Sequence, residues 1–161
     1  MSIPYQRTLA SNASLEGTSL HTGEKVTLTM KPAPTNHGIV FRRIDLEDMP
    51  FIPANVDNVQ QVERATTLAV GSVKVHTVEH VISALAGMEI DNALIEMDAN
   101  EPPIGDGSAA PYVRCIKEAG IVEQDELASV FEIREPIHYE NENGSIITII
   151  PSKDFRVSCT H

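Results

Sequence analysis

The feature that most limits what this chain can fold into is a change of hydrophobic period at Thr77. Before it, apolar residues alternate. Lys25-Val-Thr-Leu-Thr-Met-Lys31 reads as a half-buried strand, and Gly38-Ile-Val-Phe-Arg42 follows it after a proline-rich turn, Pro32 to Gly38, so the pair predicts a hairpin. Thr66–Val70 and Val73–His76 flank Gly71-Ser72, a glycine-first connection suited to a type II′ turn, and predict a second hairpin. After it, Val78, Val81, Ile82 and Leu85 fall at helical spacing, with Thr77 as the candidate N-cap and Gly87 near the end. Asn92–Met97 then reads as a strand. Ser108 to about Ala119 reads as a second helix with Tyr112, Val113, Ile116 and Ala119 inward, stopped by Gly120. Runs of strands interrupted by two helices predict an α+β fold, a mostly antiparallel sheet packed by two helices.

Beyond Gly120 the pattern looks like a beginning. Glu123-Gln-Asp-Glu126 reads as an acidic linker, followed by strands at Val130–Ile133, Ser145–Pro151 and Phe155–Cys159. The last two, joined by a proline turn, repeat the layout of Val26 to Phe41. We therefore expect a first domain over residues 1–126 and, over 127–161, the opening strands of a truncated second copy, because three strands with one apolar face uncovered are marginal alone.

Composition excludes several function classes. The 161 residues are 42% hydrophobic and carry 12 Lys and Arg against 23 Asp and Glu, a net charge of −11. This field repels a phosphate backbone, so nucleic-acid binding is not expected. No run of 18 apolar residues suggests a membrane span. The N-terminus has no cationic segment leading into an apolar stretch, so a cytoplasmic location is expected. Cys115 and Cys159, without CxxC spacing, read as buried reduced thiols.

Two constellations carry chemistry-bearing residue types. His76-Thr-Val-Glu-His80 has the literal H-x-x-E-H spacing of one metalloprotease class. That reading needs both histidines on one helical face, and His76 falls before the helix if Thr77 caps it. Glu79 and His80 instead fall in the first turn, off the apolar face, where a general base would stand beside a metal ligand; the alternative is that Glu79 only complements the helix dipole. Gly105-Asp-Gly-Ser-Ala-Ala-Pro111 loosely resembles the phosphate loop of small-molecule kinases of the galactokinase and homoserine kinase superfamily. Asp106 puts an anion where phosphate would sit, so a tight turn with Ser108 as N-cap is the better reading. His21 lies in a turn-rich segment suited to a ligand, whereas His37, His138 and His161 read as exposed.

Ser19-Leu-His-Thr-Gly-Glu-Lys-Val26, Thr77-Val-Glu-His80, Gly87-Met-Glu-Ile-Asp-Asn-Ala-Leu-Ile-Glu96 and Asp106-Gly-Ser-Ala-Ala-Pro111 occur in one order. With these four motifs the chain, from Arg7 onward, resembles the zinc-dependent UDP-3-O-acyl-N-acetylglucosamine deacetylases of lipid A biosynthesis. The resemblance implies two similar domains of a ribosomal-S5-domain-2-like two-layer sandwich, with the active site between them. It also implies Glu79 as general base, His80 as a zinc ligand, and Leu20 and His21 on the substrate-binding side, with UDP-3-O-acyl-N-acetylglucosamine as substrate. His76 has no ligand role in that family. The family's other two zinc ligands, a His and an Asp in H-x-x-x-D, and its general-acid histidine have no counterpart here, so the chain is expected to need its missing second domain for activity. Lys31, Arg42 and Arg43 are loose candidates for the substrate diphosphate. The competing readings are an H-x-x-E-H protease, a small-molecule kinase, and a non-catalytic module that binds a sugar nucleotide.

Overall fold

The computed structural model describes residues 3–160 and divides into two compact units, one ending at Ala128 and one starting at Ser129. The first unit is α+β. Its strands are β1 (Tyr5–Leu9), β2 (Ala13–Thr18), β3 (Lys25–Pro32), β4 (Ile39–Arg43), β5 (Phe51–Pro53), β6 (Val59–Gln61), β7 (Thr67–Val70), β8 (Val73–Val75), β9 (Ala93–Met97) and β10 (Ile121–Leu127), with helices α1 (Glu79–Gly87) and α2 (Ala110–Ala119).

Five strands form the main sheet in the order β2-β3-β9-β4-β5, antiparallel except where β9 runs parallel to β4. The hairpin expected between β3 and β4 therefore does not form, because β9 inserts between them. The connecting segment is bonded elsewhere. The Ala33 N–H goes to the Thr8 hydroxyl (3.0 Å), Asn36 N–H to Gln6 Oε1 (2.8 Å) and Gly38 N–H to Asn92 Oδ1 (2.8 Å). Asn36 (φ 61°) and Gly38 (φ 70°) take the left-handed turns that this path needs. The β7–β8 hairpin forms as expected, pairing Val70 with Val73 and placing Gly71 at φ 60°.

Period explains burial. Along β3 the alternation puts Val26, Leu28 and Met30 inside, and β9 buries Ala93, Ile95 and Met97. Val81, Ala84 and Leu85 of α1 and Tyr112 and Ile116 of α2 enter the same apolar cluster as Leu28, Phe41, Ile52 and Ile95. Gly120, at φ 78°, closes α2 as expected.

Three further expectations fail in this unit. Thr77 does not cap α1; Val78 precedes the helix without a side-chain cap bond, and Thr77 sits at φ 54°, a strained region for a β-branched residue. The acidic stretch Glu123–Glu126 is no linker but the middle of β10, paired antiparallel with β1. Gln124 turns inward, receiving a hydrogen bond from Asn92 Nδ2 (2.8 Å) and donating to the Ala33 carbonyl (2.9 Å), so a polar side chain stands where an apolar one would mark a strand. His37 is half-buried rather than exposed, its Nδ1 3.0 Å from the Gly38 carbonyl.

The second unit holds one antiparallel hairpin, β11 (Ile137–Glu140) with β12 (Ile146–Ile149). Asn141 Oδ1 organises its turn by accepting the N–H groups of Asn143 (3.0 Å) and Ser145 (2.9 Å). The expected strands at Val130–Ile133 and Phe155–Cys159 do not form. No strand pairs with them among the described residues, and Phe131 and Phe155 are 86% and 96% exposed. Cys159 is exposed and Cys115 only half-buried, which corrects the reading of two buried thiols, although both are free as expected. His138 is exposed, and His161 lies outside the described residues. Among those residues no helix is long and apolar enough to cross a membrane.

Candidate active site

Strand β8 ends at Val75 and α1 begins at Glu79, so the residues between them leave the sheet and deliver Glu79 and His80 to the first helical turn, both half-buried. Glu79 is anchored there, because its Oε2 accepts the Thr66 N–H at 3.0 Å. His80 donates nothing to that anchor; its carbonyl accepts from Ser83 (3.1 Å), and among the described residues no hydrogen bond engages its ring. His76 lies outside the helix, with Nδ1 2.9 Å from the Thr67 hydroxyl, so the helical H-x-x-E-H pairing is not formed. Burial pushes the His76 ring below its ordinary pKa.

Leu20 and His21 occupy the turn between β2 and β3, both exposed, Leu20 at 55%. This turn meets the start of α1 through Glu101, a residue that sequence reading passed over inside the loop Ala99–Gly107. Glu101 is fully buried. Its Oε2 accepts the N–H groups of His21 (2.9 Å) and Thr22 (3.1 Å), and its Oε1 accepts the Thr77 hydroxyl (2.6 Å) and lies 2.7 Å from His21 Nδ1. The structure thus brings His21 to Thr77, two residues before Glu79. The only sequence signal was a carboxylate followed at once by Pro102-Pro103, which stiffen the loop around it.

Burial raises the Glu101 carboxyl, but hydrogen bonds from Thr77, His21 and the Thr22 and His21 amides outweigh it and hold the group below its ordinary value of 4.5. A depressed folded-state value contributes stability above the unfolded value and loses it as pH falls through the folded one. The urea midpoint is therefore expected to drop as pH falls below about 4.5, and Glu101→Gln should flatten that limb of the profile. An unchanged acid limb would exclude Glu101 as its source.

The other candidates are used structurally. Lys31 and Arg42 both reach Glu96 (2.5 and 3.3 Å), and Arg43 pairs with Asp45 (2.5 Å) while donating to the Lys74 carbonyl (2.9 Å). Arg43 lies beside His76, lining a cleft with Lys74 and Asn100. In the glycine loop, Asp106 Oδ1 accepts the Ser108 N–H (3.0 Å) and hydroxyl (2.7 Å), and Ser108 Oγ accepts the Ala110 N–H (3.1 Å). The donors that a phosphate would need are spent within the turn, as the tight-turn reading expects, although Ala109 is the residue at the cap position. Among the described residues no three His, Cys, Asp or Glu side chains converge as a metal ion requires.

An α+β unit that brings a glutamate, two histidines and a buried carboxylate to the start of one helix defines the class, a domain with a candidate polar site there. Comparison with known proteins gives the family. The chain belongs to the UDP-3-O-acyl N-acetylglycosamine deacetylase (LpxC) family, whose model matches residues 6–161. It is 48% identical over 155 residues to the UDP-3-O-acyl-N-acetylglucosamine deacetylases of Legionella pneumophila (strain Corby) and Saccharophagus degradans, covering 96% of this chain and 51% of each relative. It is 47% identical over 155 residues to the bifunctional enzyme LpxC/FabZ of Chlorobaculum tepidum, covering 96% of this chain and 33% of that protein. The chain spans about half the length, or less, of these relatives.

Proposed function

We propose that this chain supplies the Glu79 side of a zinc-dependent amidohydrolase site that removes the N-acetyl group of UDP-3-O-acyl-N-acetylglucosamine in lipid A biosynthesis, in the cytoplasm. The products would be acetate and UDP-3-O-acyl-glucosamine. The observation that carries the reading is the Thr77–His80 segment, which opens α1 with an anchored carboxylate beside an unengaged imidazole, within a chain of this family.

An acetamide resists water at neutral pH, so the attacking water must lose a proton as it adds to the carbonyl. Glu79 is suited to take it: the Thr66 amide fixes Oε2 and leaves Oε1 for the water. The expelled glucosamine nitrogen must then gain a proton, from a general acid of the second domain or from Glu79 returning the one it took. His80 would be one ligand of the zinc, whose Lewis acidity is the chemistry that the metal supplies. Leu20 and His21 would line the substrate side. The remaining ligands, the general acid and the cations for the diphosphate would come from a second domain of similar two-layer sandwich form, of which the β11–β12 hairpin would be the opening part.

Zinc titration of the chain tests the ligand assignment. Weak binding is expected, lost in His80→Ala and kept in His76→Ala. Tight one-to-one binding that needs both histidines would restore the H-x-x-E-H arrangement instead.

A further inference from the structure

Glu101 is the one fully buried acidic side chain among the described residues. Each of its hydrogen bonds comes from one of two segments, the turn carrying Leu20 and His21 or the residue Thr77 before α1. A carboxylate accepts and cannot donate. The Thr77 hydroxyl spends its proton on Oε1, so the 2.7 Å contact between Oε1 and His21 Nδ1 requires the proton to sit on Nδ1. Thr77 Oγ, 3.3 Å from the same nitrogen, lies on the same side of the ring. The His21 side chain is 49% exposed while that of Glu101 is 0% exposed, so the edge opposite Nδ1 is the one turned to solvent.

We propose that Glu101 is a positioning residue for His21: it fixes the neutral ring as the Nδ1–H tautomer, sets the turn through two backbone amides, and presents Nε2 outward as a hydrogen-bond acceptor. A histidine held in this way meets a donor group of its ligand, such as a sugar hydroxyl or an amide N–H, at a defined angle. Thr77 completes the arrangement, and its left-handed backbone is the strained element that the bond to Glu101 holds in place. That the ligand is the deacetylase substrate rests on the reading above; the tautomer does not.

The test is the ¹⁵N spectrum of the His21 ring in the full chain, at a pH where the ring is neutral. The expected pattern is a protonated Nδ1 and a bare Nε2, the reverse of the form that an unconstrained imidazole favours. Glu101→Gln should invert it, Glu101→Asp should preserve it in part, and Thr77→Val should leave it because Glu101 still accepts. A bare Nδ1 in the parent chain, or no change in a folded Glu101→Gln variant, would overturn the proposal. If Glu101→Gln does not fold, the parent spectrum and Thr77→Val decide it. The spectrum requires no catalysis, so a failed deacetylation assay would leave this inference standing, and a wrong tautomer would leave the deacetylase reading standing.

Discussion

Glu79→Gln is expected to lower deacetylation by about 10²–10⁴-fold, the range that loss of a general base produces. The substitution is chosen for its shape. A glutamine carbonyl can still accept the Thr66 N–H that now meets Oε2 at 3.0 Å, so the opening of α1 should stay in place while the side chain loses its ability to take a proton. Stability should move by no more than about 0.5 kcal/mol, as for a substitution away from the core. Acetate release, measured with a C-terminal half supplied from a relative, and the urea midpoint check the two parts separately. A Glu79→Gln chain as active as its parent would remove Glu79 from the chemistry. A chain both inactive and strongly destabilised would show that its role is to hold the helix start.

Phe41→Ala is expected to destabilise the first unit by about 3–5 kcal/mol. Phe41 is 0% exposed on β4, opposite Ile52 of β5 on one side and Ile95 of β9 on the other, in the cluster that both helices enter. Removing the ring leaves a cavity between neighbouring strands of a close-packed core, which can close in only in part. Against a typical total of about 5–15 kcal/mol, that loss is a large part of the fold's stability. Phe131→Ala and Phe155→Ala, on residues 86% and 96% exposed, should each cost no more than about 0.5 kcal/mol. Chemical denaturation of the three variants checks the contrast, and an equal cost for Phe131 would mean that this side chain is covered in solution.

Phe41, Phe131 and Phe155 also show what the sequence could and could not convey. All three lie in apolar alternation, and only Phe41 lies in a strand. Alternation states that a segment can be half-buried, but a strand exists only where another strand takes its hydrogen bonds. The same limit explains β9: its pattern was readable, yet its insertion between β3 and β4 depends on where the Ala33–Gly38 amides find acceptors, and those acceptors are the side chains of Thr8, Gln6 and Asn92. β10 was hidden for the opposite reason, since its inward contact is made by Gln124 within a polar network.

At the candidate site, motif and resemblance singled out Glu79, His80, Leu20 and His21, and local periodicity placed the first two in the opening turn of α1, where the structure has them. Glu101 was not legible, because nothing local distinguishes a buried loop carboxylate from an exposed one; its three partner residues, His21, Thr22 and Thr77, lie 24 to 80 residues away. Thr77 was misread because a threonine before a helix ordinarily caps it. Here its hydroxyl serves Glu101 instead, and the helix starts without a side-chain cap.

The most direct test of the account is acetate release from UDP-3-O-acyl-N-acetylglucosamine, with zinc, by this chain mixed with the separately expressed C-terminal half of the Legionella pneumophila deacetylase. The account predicts turnover by the mixture, none by either part alone, and none when the chain carries Glu79→Ala. No turnover by a folded, associated pair, or turnover that survives Glu79→Ala, would contradict it.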